Sequence, residues 1–490
     1  MKEKIISFLE ENKYAVIVLA ALATLVIFIA GISSEVCLGD ENLHYRLAKS
    51  IFCFRKIISV DPAYSQMEVK FYYNWPALWH VVLAFIWKLF GKTSFFLAQL
   101  YQSVYYFFLV VFTYLFSCQI IEKKAAIYAA LLTASIPMIV SFSILFYLDV
   151  PATTFAVLCA WLIFNNRYFL GGITIVLSYL LKTNMFLFVP VYLMWLLFNS
   201  KGIVAKIKNI FFLFLPIFLL GSAYFFWQKN PAFYYQIITN AIKRIKYFNF
   251  ANLFSFKEFN NSYLLNPIDI IKYFGLSIIS LIFLNLFVNK PYKKYSRQRN
   301  FIYLLLLFYI IGFGIIFGFY TDIRYILPIS PFLAMLVAEQ FFNLKQKTKF
   351  IIIVLCFMQV LSVSFYVNFQ RRISPEVKEG FIFLKENLPK NIGVIYPEYA
   401  MMLEKTDLPI YWHSVVNELK KLFWEDNKLE AVESLRLKNI RILVVLKSRV
   451  YDDSKFHHFG GYPLSFIKKI SQLSFLEPIF ENGSMIIFKI

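Results

Sequence analysis

The segment Gly39-Asp40-Glu41-Asn42-Leu43-His44-Tyr45-Arg46 follows directly after the first hydrophobic run of the chain. Leu43, Leu47 and Ile51 then recur four residues apart, which predicts a short helix at a membrane interface. Side chains of adjacent helical residues point about 100° apart, so one carboxylate can act as a base while the other orients. The alternative is local: Asp40 caps the helix and Glu41 is a first-turn acid.

The composition is that of a protein with many membrane spans. The 490 residues are 59% hydrophobic and 20% aromatic, and the mean hydropathy is +0.61. A net charge of +21 could indicate nucleic-acid binding. The lysines and arginines lie mostly in short loops between apolar runs, however, so membrane topology accounts for them better and no nucleic-acid partner is predicted.

Apolar runs of spanning or near-spanning length recur along residues 1–370 and predict a polytopic α-helical membrane module with about 11–13 spans. The runs lie near 14–32, 94–118, 125–146, 150–164, 168–181, 183–199, 208–227, 268–288, 300–319, 325–342 and 350–367. A further run, 76–90, is shorter. We interpret it as a re-entrant or peripheral helix on the outer side, because the strongly basic loops then all face the cytoplasm.

The loop charges predict the orientation. If 76–90 does not cross, the basic groups near 123–124, 167, 201–208, 290–299 and 345–349 all face the cytoplasm, as the positive-inside rule favours. The N-terminus is then cytoplasmic and the C-terminus extracytoplasmic. The outer side receives a set of charged residues, namely Asp40, Glu41, Asp149, Lys182, Asp322 and Arg324. Such residues at span ends are costly unless they are solvated, paired or functional, so this side is the candidate site.

Residues 371–490 are predicted to form a small extracytoplasmic α/β domain. Strands are expected at Ile392–Ile395 and Ile442–Leu446, with a helix at Asn427–Lys438 between them. Asn482-Gly483 between two apolar stretches is a strong hairpin signal. The domain carries no recognisable catalytic motif, so we expect a role in docking or structural support.

Four motifs on the predicted outer side occur in a fixed order. They are Asp40-Glu41 after the first span, Trp75-Pro76-Ala77-Leu78-Trp79, Asp149-Val150-Pro151 after an alanine-rich helix with Pro137, and Arg324-Tyr325-Ile326-Leu327-Pro328. Together they resemble the motifs of the GT-C class of membrane glycosyltransferases, in particular the prokaryotic group related to protein O-mannosyltransferases and aminoarabinose transferases. The resemblance covers roughly residues 1–370 and implies a GT-C-like fold.

The resemblance also implies a sugar donor linked to a polyprenyl phosphate in the outer leaflet of the membrane lipid, and an extracytoplasmic acceptor. A lipid phosphate leaves as an anion, so one base suffices and inversion is expected, whereas glycoside hydrolysis needs two carboxylates. For this reaction we expect Asp40 to be the general base, with Glu41 as the alternative, and Asp149 to orient the acceptor or the sugar. Arg324 binds phosphate through its planar fork, and Lys182 adds a second charge.

Three further residues adjoin these motifs: His44 and Tyr45 follow the acidic pair, and Tyr325 follows Arg324. Packing or an interfacial position is the alternative role for His44 and Tyr45. A helix cap is the alternative for Asp149, and a snorkelling interface arginine is the alternative for Arg324.

The sequence departs from the family pattern at the aromatic and proline segment. The family's second proline is Ala77 here. Some members carry a lysine just before this segment that contacts the donor phosphate. The near position here is Asn74, and the closest lysine is Lys70, which is therefore the candidate for that contact.

The competing class is a transporter or flippase of lipid-linked or small anionic substrates, which also has charged residues at span ends. Matched interrupted spans in two halves would favour that class, and the sequence shows no such halves. A structural subunit would leave the acidic pair without a purpose. No cofactor follows from the residues. A divalent cation stays open, since some members of the wider class use one.

Overall fold

The computed structural model describes residues 22, 24–29, 40–54, 78–228, 275, 296–317, 323–370, 374–395, 410–411, 416–424, 428–453, 462–470, 473 and 475–490. Four predicted features lie wholly or largely outside these residues: the runs 14–32 and 268–288, the segment 70–77 and the loop 228–267. They stay predictions.

The chain divides into two compact units. One comprises residues 1–32, 73–82 and 94–367, and the other comprises residues 33–72, 83–93 and 368–490. The second unit therefore includes the segment with the acidic pair as well as the C-terminal residues. The boundary between 370 and 371 that the composition predicts stays a proposal.

The described part of the first unit is built from helices. Their bounds are α2 (Leu78–Phe90, whose last eight residues belong to the second unit), α3 (Phe95–Ile120), α4 (Lys123–Ser135), α5 (Pro137–Ile144), α6 (Asp149–Phe164), α7 (Tyr168–Tyr179), α8 (Val189–Asn199), α9 (Ile203–Gln228), α10 (Ser296–Phe317), α11 (Ser330–Asn343) and α12 (Gln346–Gln370). Two 3₁₀ segments, Thr183–Phe188 and Ile323–Ile329, precede α8 and α11 directly.

Four stretches of the described residues are long and apolar enough to cross a membrane. They are Phe95–Ile120, Ile203–Ala223, Tyr325–Asn343 and Gln346–Phe369, and α4 with α5 makes a fifth if the bent pair counts as one span. The other apolar helices have 10–17 residues. Among them is α2, whose 13 residues extend about 20 Å, less than the roughly 30 Å of a bilayer core. That α2 does not cross the membrane stays a prediction.

Pro137 produces the break between α4 and α5, which are bent by 58°. Proline has no backbone N–H and disfavours the helical conformation in the residue before it. Ile136 is accordingly extended, at φ −63° and ψ 119°. The predicted run 125–146 is therefore one apolar segment divided into two helices, and α5 leads directly to the loop before α6.

Helix α1 (Asp40–Phe54) in the second unit carries the acidic pair. It begins at Asp40, in agreement with the sequence pattern. Its fully or nearly buried side chains include Glu41, His44, Tyr45 and Ala48, so the buried face runs through the acid and not only along the predicted leucine stripe. Tyr45 meets Trp87 of α2 edge to face, with the ring centroids 5.0 Å apart.

The C-terminal part of the second unit is the predicted α/β domain. A five-stranded sheet has the order β2-β1-β3-β7-β6. The elements are α13 (Pro375–Asn387), β1 (Gly393–Ile395), β2 (Ile410–Tyr411), α14 (Val416–Trp424), α15 (Lys428–Leu437), β3 (Ile440–Leu446), β4 (Val450–Tyr451), β5 (Tyr462–Pro463), α16 (Leu464–Ile470), β6 (Glu477–Glu481) and β7 (Met485–Lys489). Strands β1, β2 and β3 pair in parallel, and β6 and β7 form the antiparallel hairpin predicted at Asn482-Gly483.

Both faces of strand β3 are buried, which explains its continuous apolar sequence. Ile442 and Val444 pack with Phe381 of α13, and Leu443 packs on the other face with Leu435 of α15. The sheet therefore lies between two helical layers, each with its own apolar cluster.

Candidate active site

Asp149 and Lys182 form a partly buried ion pair at the start of α6. Asp149 is the first residue of that helix and is 2% exposed, while the side chain of Lys182 is 15% exposed. The Lys182 ammonium donates a hydrogen bond to the Asp149 carboxylate. An aspartate is almost never fully buried unless it is paired, and the N-terminus of α6 adds a favourable dipole. Since Leu148 holds the N-cap position, the carboxylate pairs with a cation instead of capping.

The ring of Tyr325 contacts the same ammonium. The Lys182 nitrogen is 4.2 Å from the centroid of the Tyr325 ring, a cation–π distance. Lys182 thus contacts both a carboxylate and an aromatic face. Asp149, Lys182 and Tyr325 are far apart in the sequence, so it is the fold that brings these three predicted site residues together.

Two buried residues that the sequence analysis did not select hold this arrangement in place. Asn184 donates a hydrogen bond to the Tyr309 hydroxyl at 2.6 Å, and that hydroxyl donates to the backbone carbonyl of Tyr325 at 2.8 Å. Asn184 is 2% exposed and follows Lys182 by two positions. The chain of hydrogen bonds therefore joins the Lys182 turn to the 3₁₀ segment that contains Arg324. A lone asparagine in an apolar run is the sequence signal that could have identified it.

Gln102 of α3 fixes the loop that leads into Asp149. Its amide nitrogen donates to the carbonyls of Phe142 at 2.8 Å and Tyr147 at 2.7 Å, and its oxygen accepts from the Trp79 indole at 3.0 Å. Gln102 and Trp79 are both fully buried. Tyr147 precedes Asp149 by two residues, so this amide sets where α6 begins. It also gives a structural role to Trp79, the last residue of the aromatic and proline motif.

Replacing Gln102 by leucine is expected to lower the free energy of unfolding by about 1–3 kcal/mol, because one indole N–H and two carbonyls lose a buried partner. The measurement is thermal unfolding of the purified protein in detergent. Gln119→Leu on the same helix is the matched control, since the buried Gln119 amide oxygen has no hydrogen-bond partner among the described residues. An equal loss of stability in both variants would contradict the role assigned to Gln102.

The structure places the remaining predicted residues as follows. Asp40 and Glu41 open α1 in the other compact unit, and Glu41 is fully buried. The predicted convergence of this pair with Asp149 stays a prediction. Arg324 lies in the 3₁₀ segment Ile323–Ile329, where the structure describes its backbone, and Lys70 lies outside the described residues.

No group of three or more His, Cys, Asp or Glu side chains that could hold a metal ion occurs in the described part of the chain. The Asp149 carboxylate is already paired with Lys182. A cation is therefore not assigned to Asp149.

Comparison with solved structures supplies the fold relationship. ArnT from Cupriavidus metallidurans bound to undecaprenyl phosphate superposes with a TM-score of 0.60 and 11% identity, over 98% of each chain. The oligosaccharyltransferase AglB from Archaeoglobus fulgidus, in complex with an inhibitory peptide and a dolichol-phosphate, has a TM-score of 0.56 and 13% identity, over 89% of this chain and 70% of that one. Both are GT-C glycosyltransferases. No protein-family model matches the chain, and no curated protein matches it.

Proposed function

We propose that this chain, which has the GT-C membrane glycosyltransferase fold, transfers a sugar from a polyprenyl-phosphate-linked donor to an extracytoplasmic acceptor. Two structures with the same fold were obtained with undecaprenyl phosphate or dolichol-phosphate bound, which supports a donor of that chemical class. A structure of the Archaeoglobus fulgidus enzyme tethered to an acceptor peptide supports an acceptor bound by the same fold.

The observation that carries the proposal is the cluster of Asp149, Lys182 and Tyr325. Lys182 is a partly buried cation that contacts the Asp149 carboxylate and the ring of Tyr325, the residue next to the proposed phosphate ligand Arg324. Arg324 immediately precedes Tyr325, and consecutive Cα atoms are about 3.8 Å apart. The two cations are therefore carried by adjoining backbone segments, an arrangement suited to a phosphate that gains negative charge as it leaves.

The proposed chemistry is a direct displacement. The acceptor hydroxyl loses its proton to a carboxylate, its oxygen bonds to the anomeric carbon, and the bond from that carbon to the phosphate oxygen breaks. The electron pair stays with the phosphate, so no acid is needed and the configuration inverts. We assign the base to Asp40, with Glu41 as the alternative, and the orienting role to Asp149. His44, Tyr45 and Lys70 are proposed as further substrate contacts.

Arg324 is expected to bind the donor phosphate through its fork-shaped guanidinium. Arg324→Lys keeps the charge and loses the bidentate geometry, so it should retain partial activity, whereas Arg324→Ala should lose most of it. Donor affinity and transfer rate of the two purified variants are the measurements, and the loss should lie chiefly in donor binding. Near-native activity in both variants would refute the assignment.

The C-terminal α/β domain is proposed to be extracytoplasmic, where it would dock the acceptor or support the site. A reporter that is active only outside the cytoplasm, fused after Ile490, is expected to be active. Its counterpart that works only in the cytoplasm should be silent. The reverse pattern would invert the topology and move the proposed site to the other face.

We also propose a test of whether transfer depends on a divalent cation, although the described residues form no metal-binding group. One structure of the Archaeoglobus fulgidus enzyme is a complex with zinc and sulfate, which concerns that protein alone. A chelator that abolishes transfer, with recovery on adding the metal, would support such a dependence.

The test of the function is whether the donor is consumed. Mass spectrometry of a strain that lacks the gene should show one lipid-linked sugar accumulating and one surface glycan lost. The purified protein should then release polyprenyl phosphate from that lipid when the acceptor is present. A transporter or flippase, the competing class, would move the lipid-linked sugar and leave it intact.

A further inference from the structure

The turn between α6 and α7 and the beginning of α9 enclose an open cavity of about 650 Å³. It lies at the end of α6 opposite Asp149, and 16 residues of helix separate the two by about 24 Å. The cavity is therefore distinct from the proposed transfer site, within the same compact unit.

The cavity is cationic. Arg167 and Lys208 line it, both are exposed, and neither forms an ion pair with any described residue. The described residues that line it include no acid. Its wall also contains the first turn of α7, which has 12 residues and no side-chain cap, so its unpaired N–H groups and helix dipole add to the positive potential. These features suit an anion.

An exposed apolar face adjoins this charged cavity. Ile203, Ile207 and Phe211 recur at four-residue intervals along α9 and are 74%, 63% and 56% exposed. The apolar window of this helix is 11% buried, the lowest value of the four candidate spans in the described chain. Phe212 of the same helix and Phe169 of α7 line the cavity itself. A cation beside long exposed hydrocarbon is the pattern of a membrane interface.

Helices α7 and α9 approach closely beside the cavity, so its walls are held in place. A Cβ added at Gly172 would lie 2.2 Å from the backbone oxygen of Leu213, a separation that no larger residue can adopt. Cys159 of α6 also donates to the Gly171 carbonyl at 3.2 Å. The positions of Arg167 and Lys208 relative to each other are thus set by helix packing.

We propose that this cavity binds the phosphate headgroup of an anionic phospholipid, with the acyl chains along the exposed face of α9. Arg167 provides a bidentate contact to phosphate oxygens, and Lys208 provides a second charge. Anionic headgroups are favoured over zwitterionic ones, because the cavity holds two cations and would repel a choline ammonium. The positive-inside rule places the cavity in the cytoplasmic leaflet, where basic pockets between helices bind such lipids. The inference does not rest on the transfer activity.

The test is lipid binding to the full-length protein in a non-ionic detergent, followed by native mass spectrometry. Phosphatidylglycerol is expected to bind about tenfold more tightly than phosphatidylcholine. Arg167→Ala with Lys208→Ala should lower the affinity for phosphatidylglycerol about thirtyfold, since each surface cation contributes about fivefold. Lys123→Ala with Lys124→Ala removes two exposed charges elsewhere and should leave it unchanged.

Three outcomes would overturn the proposal. One is equal binding of the two lipids, and another is an equal loss of affinity in both double variants. The third is displacement of the lipid by millimolar inorganic phosphate, which would make this a site for a free anion. Should the double alanine variant fail to fold, the single reversal Lys208→Glu, checked by thermal unfolding, decides the question by the same lipid comparison.

Discussion

Asp40→Asn is expected to reduce the rate of sugar transfer by about 10²–10⁴-fold, the range that general-base catalysis usually contributes. An amide has nearly the shape of a carboxylate but cannot accept the acceptor's proton. Helix α1 begins at Asp40, and asparagine is tolerated at a helix start about as well as aspartate. The variant should therefore fold and bind donor normally, and a purely structural role for Asp40 predicts normal turnover.

Glu41→Gln separates the two members of the acidic pair. Glu41 is fully buried on the helix face that also carries His44 and Tyr45, so the isosteric amide preserves the packing. We expect a smaller loss of turnover than in Asp40→Asn, and a larger loss would exchange the two roles. Transfer rate and donor affinity are measured separately on the purified variants. Native turnover in both Asp40→Asn and Glu41→Gln would show that the acidic pair is structural and that the proposed mechanism lacks its general base.

Lys182→Met is expected to destabilise the protein by about 3–5 kcal/mol and to abolish donor binding. The destabilisation follows from Asp149, which would remain buried with its partner removed. The loss of binding follows from the proposed phosphate contact, because methionine has similar length and no charge. Thermal unfolding and donor affinity in detergent are the measurements. Lys182→Arg, which keeps the charge, should retain most of the stability.

The double variant Asp149→Asn with Lys182→Met distinguishes a functional pair from a structural one. Removing both charges eliminates the unpaired carboxylate, so the stability should largely return. Donor binding should not return if Lys182 contacts the phosphate. Recovery of both stability and transfer would show that the pair only holds α6 to the following helices, and that the phosphate is bound elsewhere.

Much of the fold could be predicted because the signals are local. Ser94 caps α3 by accepting from the Leu97 amide at 3.3 Å, and Pro375 follows the capping Ser374 at the start of α13. The motif order also predicted the GT-C fold, which the structural comparisons confirm. Each cap and each motif is a run of a few neighbouring residues, and the order of the motifs is read directly along the chain, so the printed sequence contains these features in full.

The partners of the buried polar groups could not be predicted. The charge pattern predicts that Arg299, like the basic residues before it, faces the cytoplasm in a loop, yet it lies buried within α10 and donates to Glu339 of α11 at 2.8 Å. In sequence, a cation at a span end has the same appearance whether it is solvated or paired. Which it is depends on the helix that packs against it, and that helix lies 40 residues away.

The sequence by itself indicated which stretches are apolar enough for a membrane, where α1 begins, where the β6–β7 hairpin turns, and that the C-terminal part of the chain contains both strands and helices. These properties follow from hydrophobicity, proline geometry and turn residues, which act over one or two turns of chain. Only the tertiary structure decided that Lys182 contacts both Asp149 and Tyr325, that Asn184 and Tyr309 hold that turn, and that Gln102 fixes the start of α6. Such contacts join residues separated by tens to more than a hundred positions, and a buried polar group takes whichever partner helix packing brings within hydrogen-bond distance.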